Sequence, residues 1–191
     1  MALPIVKYGH PVLRQKGARI EKITPEIKKL IEDMLETMYD AAGVGLAAQQ
    51  IGRALQLTVI DIRAASKERP STLELGGHPG DINAIMPLVL INPQIKPIGD
   101  PEAGPEGCLS FPQMYADITR PAFVEVKATG REGELVEFKA GGLLSRAVQH
   151  EVDHLNGILF IDRMATADRR ELKDELDQLQ METKERLKKA G

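Results

Sequence analysis

Gln149 to Gly157 reads QHEVDHLNG and holds His150, Glu151 and His154 in the order H-E-x-x-H. On a helix the two histidines fall one turn apart on one face, with the glutamate beside the first. Two imidazole nitrogens can then hold a divalent metal, and a carboxylate lies close enough to move a proton. A catalytic metal of this type takes three protein ligands and keeps one position open for water. The stretch therefore poses two questions: what fold buries such a helix, and which residue is the third ligand.

Working outward, the helix is expected over Leu143 to Leu155, apolar on most sides and hence buried, and set off from the preceding strand pattern by Gly141 and Gly142. Before it, FVEVKATG and ELVEFKA alternate in polarity around REG, the pattern of a β-hairpin. LQLTVIDI and LVLINP read as short buried strands. GVGLAAQQIG, Gly43 to Gly52, reads as a glycine-punctuated loop. Thr24 to Tyr39 is expected as a helix. Thr24 can cap it, Pro25 suits its first position, and Ile27, Leu30, Ile31, Met34, Leu35 and Met38 form one apolar stripe. Ala167 to Lys189 is expected as one long charged helix with Leu172, Leu176, Leu179 and Leu187 on one side. Residues 63 to 87 are rich in Pro, Gly, Ser and charge and read as an inserted surface loop. The expected architecture is α+β: short antiparallel β-strands packed around a central buried helix carrying the H-E-x-x-H, with outer N- and C-terminal helices. Residues 1 to 191 are expected to form a single catalytic domain.

Composition agrees with a globular chain. Of 191 residues, 42% are hydrophobic and 28% charged, with no Trp and only 4% aromatic, so the core must rest on aliphatic side chains and Met. A net charge of −3 gives no global reason to bind nucleic acid or an anionic membrane. No apolar run approaches the roughly 18 residues needed to span a bilayer, and the start MALPIVKYGH lacks a signal peptide's apolar stretch. A single cysteine, Cys108, forbids an internal disulfide and suits a cytoplasmic protein.

Three residues or sets compete to be the third ligand. The extended pattern H-E-x-x-H-x-x-G-x-x-H is met by Gly157 but places Phe160 where the last histidine belongs, and phenylalanine cannot ligate. Glu171 and Glu175 lie further downstream, in a helix of alternating acids and bases where glutamates are usually solvated. Cys108, in EGCLS, offers a thiolate, which suits zinc or ferrous iron. A free cysteine is often just a small core residue. Here Gly107 before it, Ser110 after it and the flanking Pro105 and Pro112 describe a shaped, extended segment and favour the ligand.

GVGLAAQQ (Gly43 to Gln50), EGCLS (Glu106 to Ser110) and QHEVDH (Gln149 to His154) together resemble the peptide deformylases, in the family's order and with every fixed position matched. YGHPVLR near the start is similar to the family's N-terminal segment, and the resemblance covers most of residues 1 to 165. It implies hydrolytic removal of the formyl group from N-formylmethionine at the start of new polypeptides. Cys108, His150 and His154 would hold one divalent metal ion. The resemblance points to ferrous iron (Fe2+), with Ni2+ or Co2+ able to substitute and Zn2+ poorer. Glu151 can act as general base and then general acid. Gln50 and the backbone N–H of Leu109 would stabilise the oxyanion. Gly43 and Gly45 would let the loop approach an extended substrate, and Val44, Leu143 and Ala147 would wall a methionine pocket. Asp153 can orient a ligand or an arginine, and Glu106 can pair with Arg120. Two other functions remain open on the residues alone: a zinc-dependent endopeptidase, and a non-catalytic metal-binding protein. The basic helix end, Lys184, Arg186, Lys188 and Lys189, suits the helix dipole. Some deformylases use such a helix at the ribosome.

Overall fold

The computed structural model describes residues 1–190; Gly191, the last residue of the expected domain, lies outside them. In chain order the elements are α1 (Pro25–Asp40), β1 (Gly45–Ala47), β2 (Leu57–Ile60), β3 (Ser71–Leu75), β4 (His78–Pro79), α2 (Ile82–Ile85), β5 (Leu88–Cys108), β6 (Phe111–Thr129), β7 (Leu135–Gly141), α3 (Gly142–Leu155), α4 (Thr166–Glu171) and α5 (Lys173–Ala190). The strands form one antiparallel sheet in the order β1-β2-β5-β6-β7-β3-β4.

The middle of the sheet is covered on both faces, which explains why β2 and the start of β5 read as continuous apolar runs. Successive strand side chains alternate between faces. Leu57, Val59, Val89 and Ile91 pack with Ile31, Met34 and Met38 of α1. Ile60, Leu88 and Leu90 point the other way, onto Leu144 and Val148 of α3. Val124, Val126, Phe138 and Ala140 of the β6–β7 hairpin extend that second core. A third cluster joins Val12 and Leu13 near the N-terminus to Phe111, Ile118, Phe160 and Leu176.

Local chemistry sets the helix ends. The Thr24 hydroxyl accepts a hydrogen bond from the Ile27 N–H at 3.4 Å, and Pro25 opens α1. Gly142 has φ +65° where the chain leaves β7, and a Cβ there would run into the Pro70 carbonyl. In the first turn of α3 the Leu144 N–H donates to the Ser71 hydroxyl at 2.9 Å, so the start of this helix is held by the first residue of β3.

Three sequence expectations need correction. Residues 63–87 are not a plain surface loop: they contain β3, β4 and α2, and β3 adds to the sheet by pairing with β7. GVGLAAQQIG contains β1, an edge strand paired with β2. The C-terminal helix is interrupted at Leu172, where α4 ends and α5 begins. Among the described residues no helix is long and apolar enough to cross a membrane.

Candidate metal centre and active site

α3 touches β1, β2, β3, β6 and β7, and every residue from Leu143 to Leu155 except Arg146 is buried. Its H-E-x-x-H spacing brings the His150 and His154 rings edge to face, with centroids 5.0 Å apart. Cys108 is the last residue of β5, just before the tight turn into β6 at Phe111. Its Sγ lies 3.3 Å from His154 Nε2, and ligand atoms of Cys108, His150 and His154 all fall within 4.8 Å of one another. Among the described residues this is the group of donors able to hold a metal. Phe160 packs in the third core cluster, and Glu171 and Glu175 are exposed on α4 and α5.

The donors are supported from behind. His150 Nδ1 meets Glu106 Oε2 at 2.9 Å, which directs the other ring nitrogen at the shared space. Arg120, 3% exposed, donates to Glu106 at 2.5 and 2.9 Å and to Asp153 at 2.8 Å. Arg146 adds a bond to Glu106 at 2.9 Å, and Arg163 forks onto Asp153 at 2.5 and 2.6 Å. Burial alone would raise the Glu106 pKa, but bonds from His150 and Arg120 outweigh it and hold the carboxyl well below its ordinary range. Burial also opposes the charged form of His150, yet Cys108 and Glu106 draw its pKa up. Burial and the neighbouring His150 push His154 down, keeping it neutral. An electron-rich sulfur, a neutral imidazole and a second imidazole braced by a carboxylate make a donor set that suits a divalent transition metal.

Glu151 faces the same space from the adjacent position of α3. Burial raises its pKa to about 7, and among the described residues its Oε2 has no hydrogen-bond partner. The room for it comes from Gly45: a Cβ there would collide with the Glu151 carboxylate. Gly43 likewise leaves space for Leu109, whose Cδ1 would sit 2.8 Å from an added Cβ. The glycines make room for these side chains and also border the cavity into which they face. Gln50 is 1% exposed, and its Oε1 accepts from the Ala47 N–H at 2.9 Å. That fixes Nε2 toward Cys108 Sγ at 3.5 Å and Ser110 Oγ at 3.4 Å. These residues border a cavity of about 490 Å³ that also exposes Leu109, Leu143, Ala147 and Val44. Of the candidate site residues, only His154 lies behind the cavity wall.

The family described as polypeptide deformylase matches residues 2–170. The chain belongs to the polypeptide deformylase family. It is 45% identical to a peptide deformylase of Methylacidiphilum infernorum over 179 residues, 94% of this chain and 93% of the relative. A peptide deformylase of Opitutus terrae is 47% identical over 86% of this chain and 85% of its own. Among solved structures, a peptide deformylase of Arabidopsis thaliana in complex with an inhibitor superposes with a TM-score of 0.81 at 36% identity, covering 97% of this chain and 93% of that one. A peptide deformylase of Synechococcus elongatus in complex with actinonin gives a TM-score of 0.77 at 42% identity, over 93% and 85%.

This deformylase holds groups that motif reading missed. Asp153 and Arg120 could be suspected from sequence, but Arg146, 40 residues from Glu106, and Arg163, which folds back onto Asp153 after α3 ends, carry no motif. The N-terminal segment links two motifs: Val6 N–H donates to the Gln50 carbonyl at 2.9 Å and Tyr8 N–H to the Ser110 carbonyl at 3.0 Å. Lys7, between them, reaches into the cavity and donates to the Leu109 carbonyl at 2.7 Å. Burial lowers its pKa, partly countered by Cys108.

Proposed function

We propose that this member of the family hydrolyses the formyl amide of N-terminal formylmethionine on newly synthesised polypeptides, releasing formate, with residues 1–191 acting as one catalytic domain. Cys108, His150 and His154 would hold one divalent ion. The thiolate and imidazole donors suit ferrous iron, with Zn2+, Ni2+ or Co2+ able to substitute. When bound, such an ion supplies Lewis acidity and lowers the pKa of water toward neutrality.

The observation that carries the proposal is Glu151: a buried carboxylate with a pKa near 7, unpartnered at one oxygen, beside three metal donors. A base of that strength takes a proton from water at neutral pH and returns it to the departing amine. Water adds to the formyl carbon, the carbon–nitrogen bond breaks, and formate and a free amino terminus leave. Charge developing on the formyl oxygen is met by Gln50 Nε2 and the Leu109 N–H. The polypeptide lies extended between the open edges of β1 and of β5 near Glu106 and Gly107, which pair with β2 and β6 on one side only. Val44, Leu143 and Ala147 line the methionine pocket.

The finer placement is cytoplasmic. The exposed basic residues Lys184, Arg186, Lys188 and Lys189 of α5 support contact with the ribosome; unchanged co-sedimentation after deletion of 184–191 would remove that part. The test of the reaction is formate release from a short formyl-Met peptide by iron-loaded protein kept free of oxygen, alongside a longer unformylated peptide. Formate without internal cleavage is expected. Internal cleavage would favour an endopeptidase, and full metal occupancy without either product would favour a non-catalytic metal protein.

A further inference from the structure

Two cations in the cavity wall have no role in the chemistry above. Lys7 and Arg69 are both half-buried there. Each donates to one backbone carbonyl, Lys7 to Leu109 at 2.7 Å and Arg69 to Pro105 at 3.1 Å. Among the described residues neither meets a carboxylate. The acids bordering the cavity are Glu106, already bound by Arg120, Arg146 and His150, and the buried Glu151. Over the whole chain 28 acids outnumber 25 lysines and arginines, so a pair of cations without a carboxylate partner at this groove runs against the molecule's balance.

The carbonyls they bind lie on either side of Cys108: Leu109 follows it directly, just past the end of β5, and Pro105 precedes it on β5 by three residues, roughly 10 Å at about 3.3 Å per strand residue. That is the reach of the next two or three residues of an extended peptide whose formyl group lies at Cys108. Main-chain pairing with β5 also stops at Pro105, which has no N–H and whose carbonyl is occupied by Arg69. Beyond that point recognition falls to side chains, and a half-buried cation without a carboxylate partner is best completed by one.

We infer that Lys7 and Arg69 form a carboxylate-reading pair, so that the chain favours formylated substrates with an acidic side chain at the second residue, facing Lys7, or the third, facing Arg69. This rests on the deformylase reading. The test uses formyl-Met-Xaa-Ser and formyl-Met-Ala-Xaa peptides with Xaa as Glu, Ala or Lys, assayed for formate at low and high salt. KM for the Glu peptides should lie roughly fivefold below that for the Lys peptides, with the gap narrowing in high salt. Lys7→Met should erase the gap at the second residue and Arg69→Met at the third, while Lys7→Arg and Arg69→Lys keep it. Equal KM values, or a gap that survives both Met substitutions, overturn the inference and leave the deformylase reading intact. No formate from any peptide, neutral ones included, overturns both.

Discussion

Replacing Glu151 with Gln should stabilise the metal-free protein, and the gain should grow with pH. The structure buries this carboxylate and raises its pKa from an ordinary 4.5 to about 7. Between those values the folded protein binds more protons than the unfolded chain, so stability falls as pH rises. A raised carboxyl pKa is thus a folding cost, absent in acid and fully present above the folded value. At about 1.36 kcal/mol per pKa unit the cost is about 1 kcal/mol at pH 5 and about 3 kcal/mol at pH 8. Gln has the same shape and no charge to desolvate. Urea unfolding of chelated protein and its Glu151→Gln variant at the two pH values should show the variant's advantage rising by about 2 kcal/mol. An equal difference at both pH values, or a variant less stable at pH 8, would refute the claim that the protein holds this carboxylate desolvated and poised near neutrality.

Other expectations follow from the same geometry. Arg120→Met leaves Glu106 and Asp153 short of their shared buried partner and should cost about 3–5 kcal/mol; at about 2–4 °C per kcal/mol, melting should fall by roughly 6–20 °C, and a shift under 2 °C would contradict the network's role. Gly45→Ala pushes a methyl group into the Glu151 carboxylate; turnover should drop roughly 100-fold while metal content, measured by elemental analysis, stays the same. Leu143→Ala should raise KM for formyl-Met peptides roughly tenfold, and an unchanged KM would remove Leu143 from the methionine pocket.

The sequence was most informative where function constrains adjacent residues. One turn of helix spaces His150 and His154, and EGCLS places a thiolate in an extended segment, so the donors could be read without a fold. The α1 helix was legible because Thr24, Pro25 and a regular apolar stripe all act locally. β5 was not. Only its start was expected as a strand, because Pro93, Pro97, Pro101 and Pro105 look like breaks. The structure takes up Pro93 and Pro101 at register shifts between Ile91 and Gln94 and between Ile98 and Pro101, while Pro97 and Pro105 stay in register opposite Val124 and Asp117. β3 escaped notice because its nearby partner β4 is only two residues long and its main partner β7 lies far away in the chain. Arg146 and Arg163, which join Arg120 in bracing Glu106 and Asp153, were hidden because β5, α3 and the segment after α3 meet only in the folded molecule. Lys7 carried no motif, and its place in the groove depends on the N-terminal segment linking Gln50 to Ser110.

The central claim is a division of labour within one turn of α3, with His150 and His154 joining Cys108 to hold the ion while Glu151 handles only the proton. The direct measurement is metal stoichiometry together with formate release for iron-loaded parent, Glu151→Gln and Cys108→Ser. The account predicts that Glu151→Gln keeps one ion per chain and loses turnover, whereas Cys108→Ser loses the ion. Loss of the ion from Glu151→Gln, or formate release that persists without the carboxylate, would contradict it.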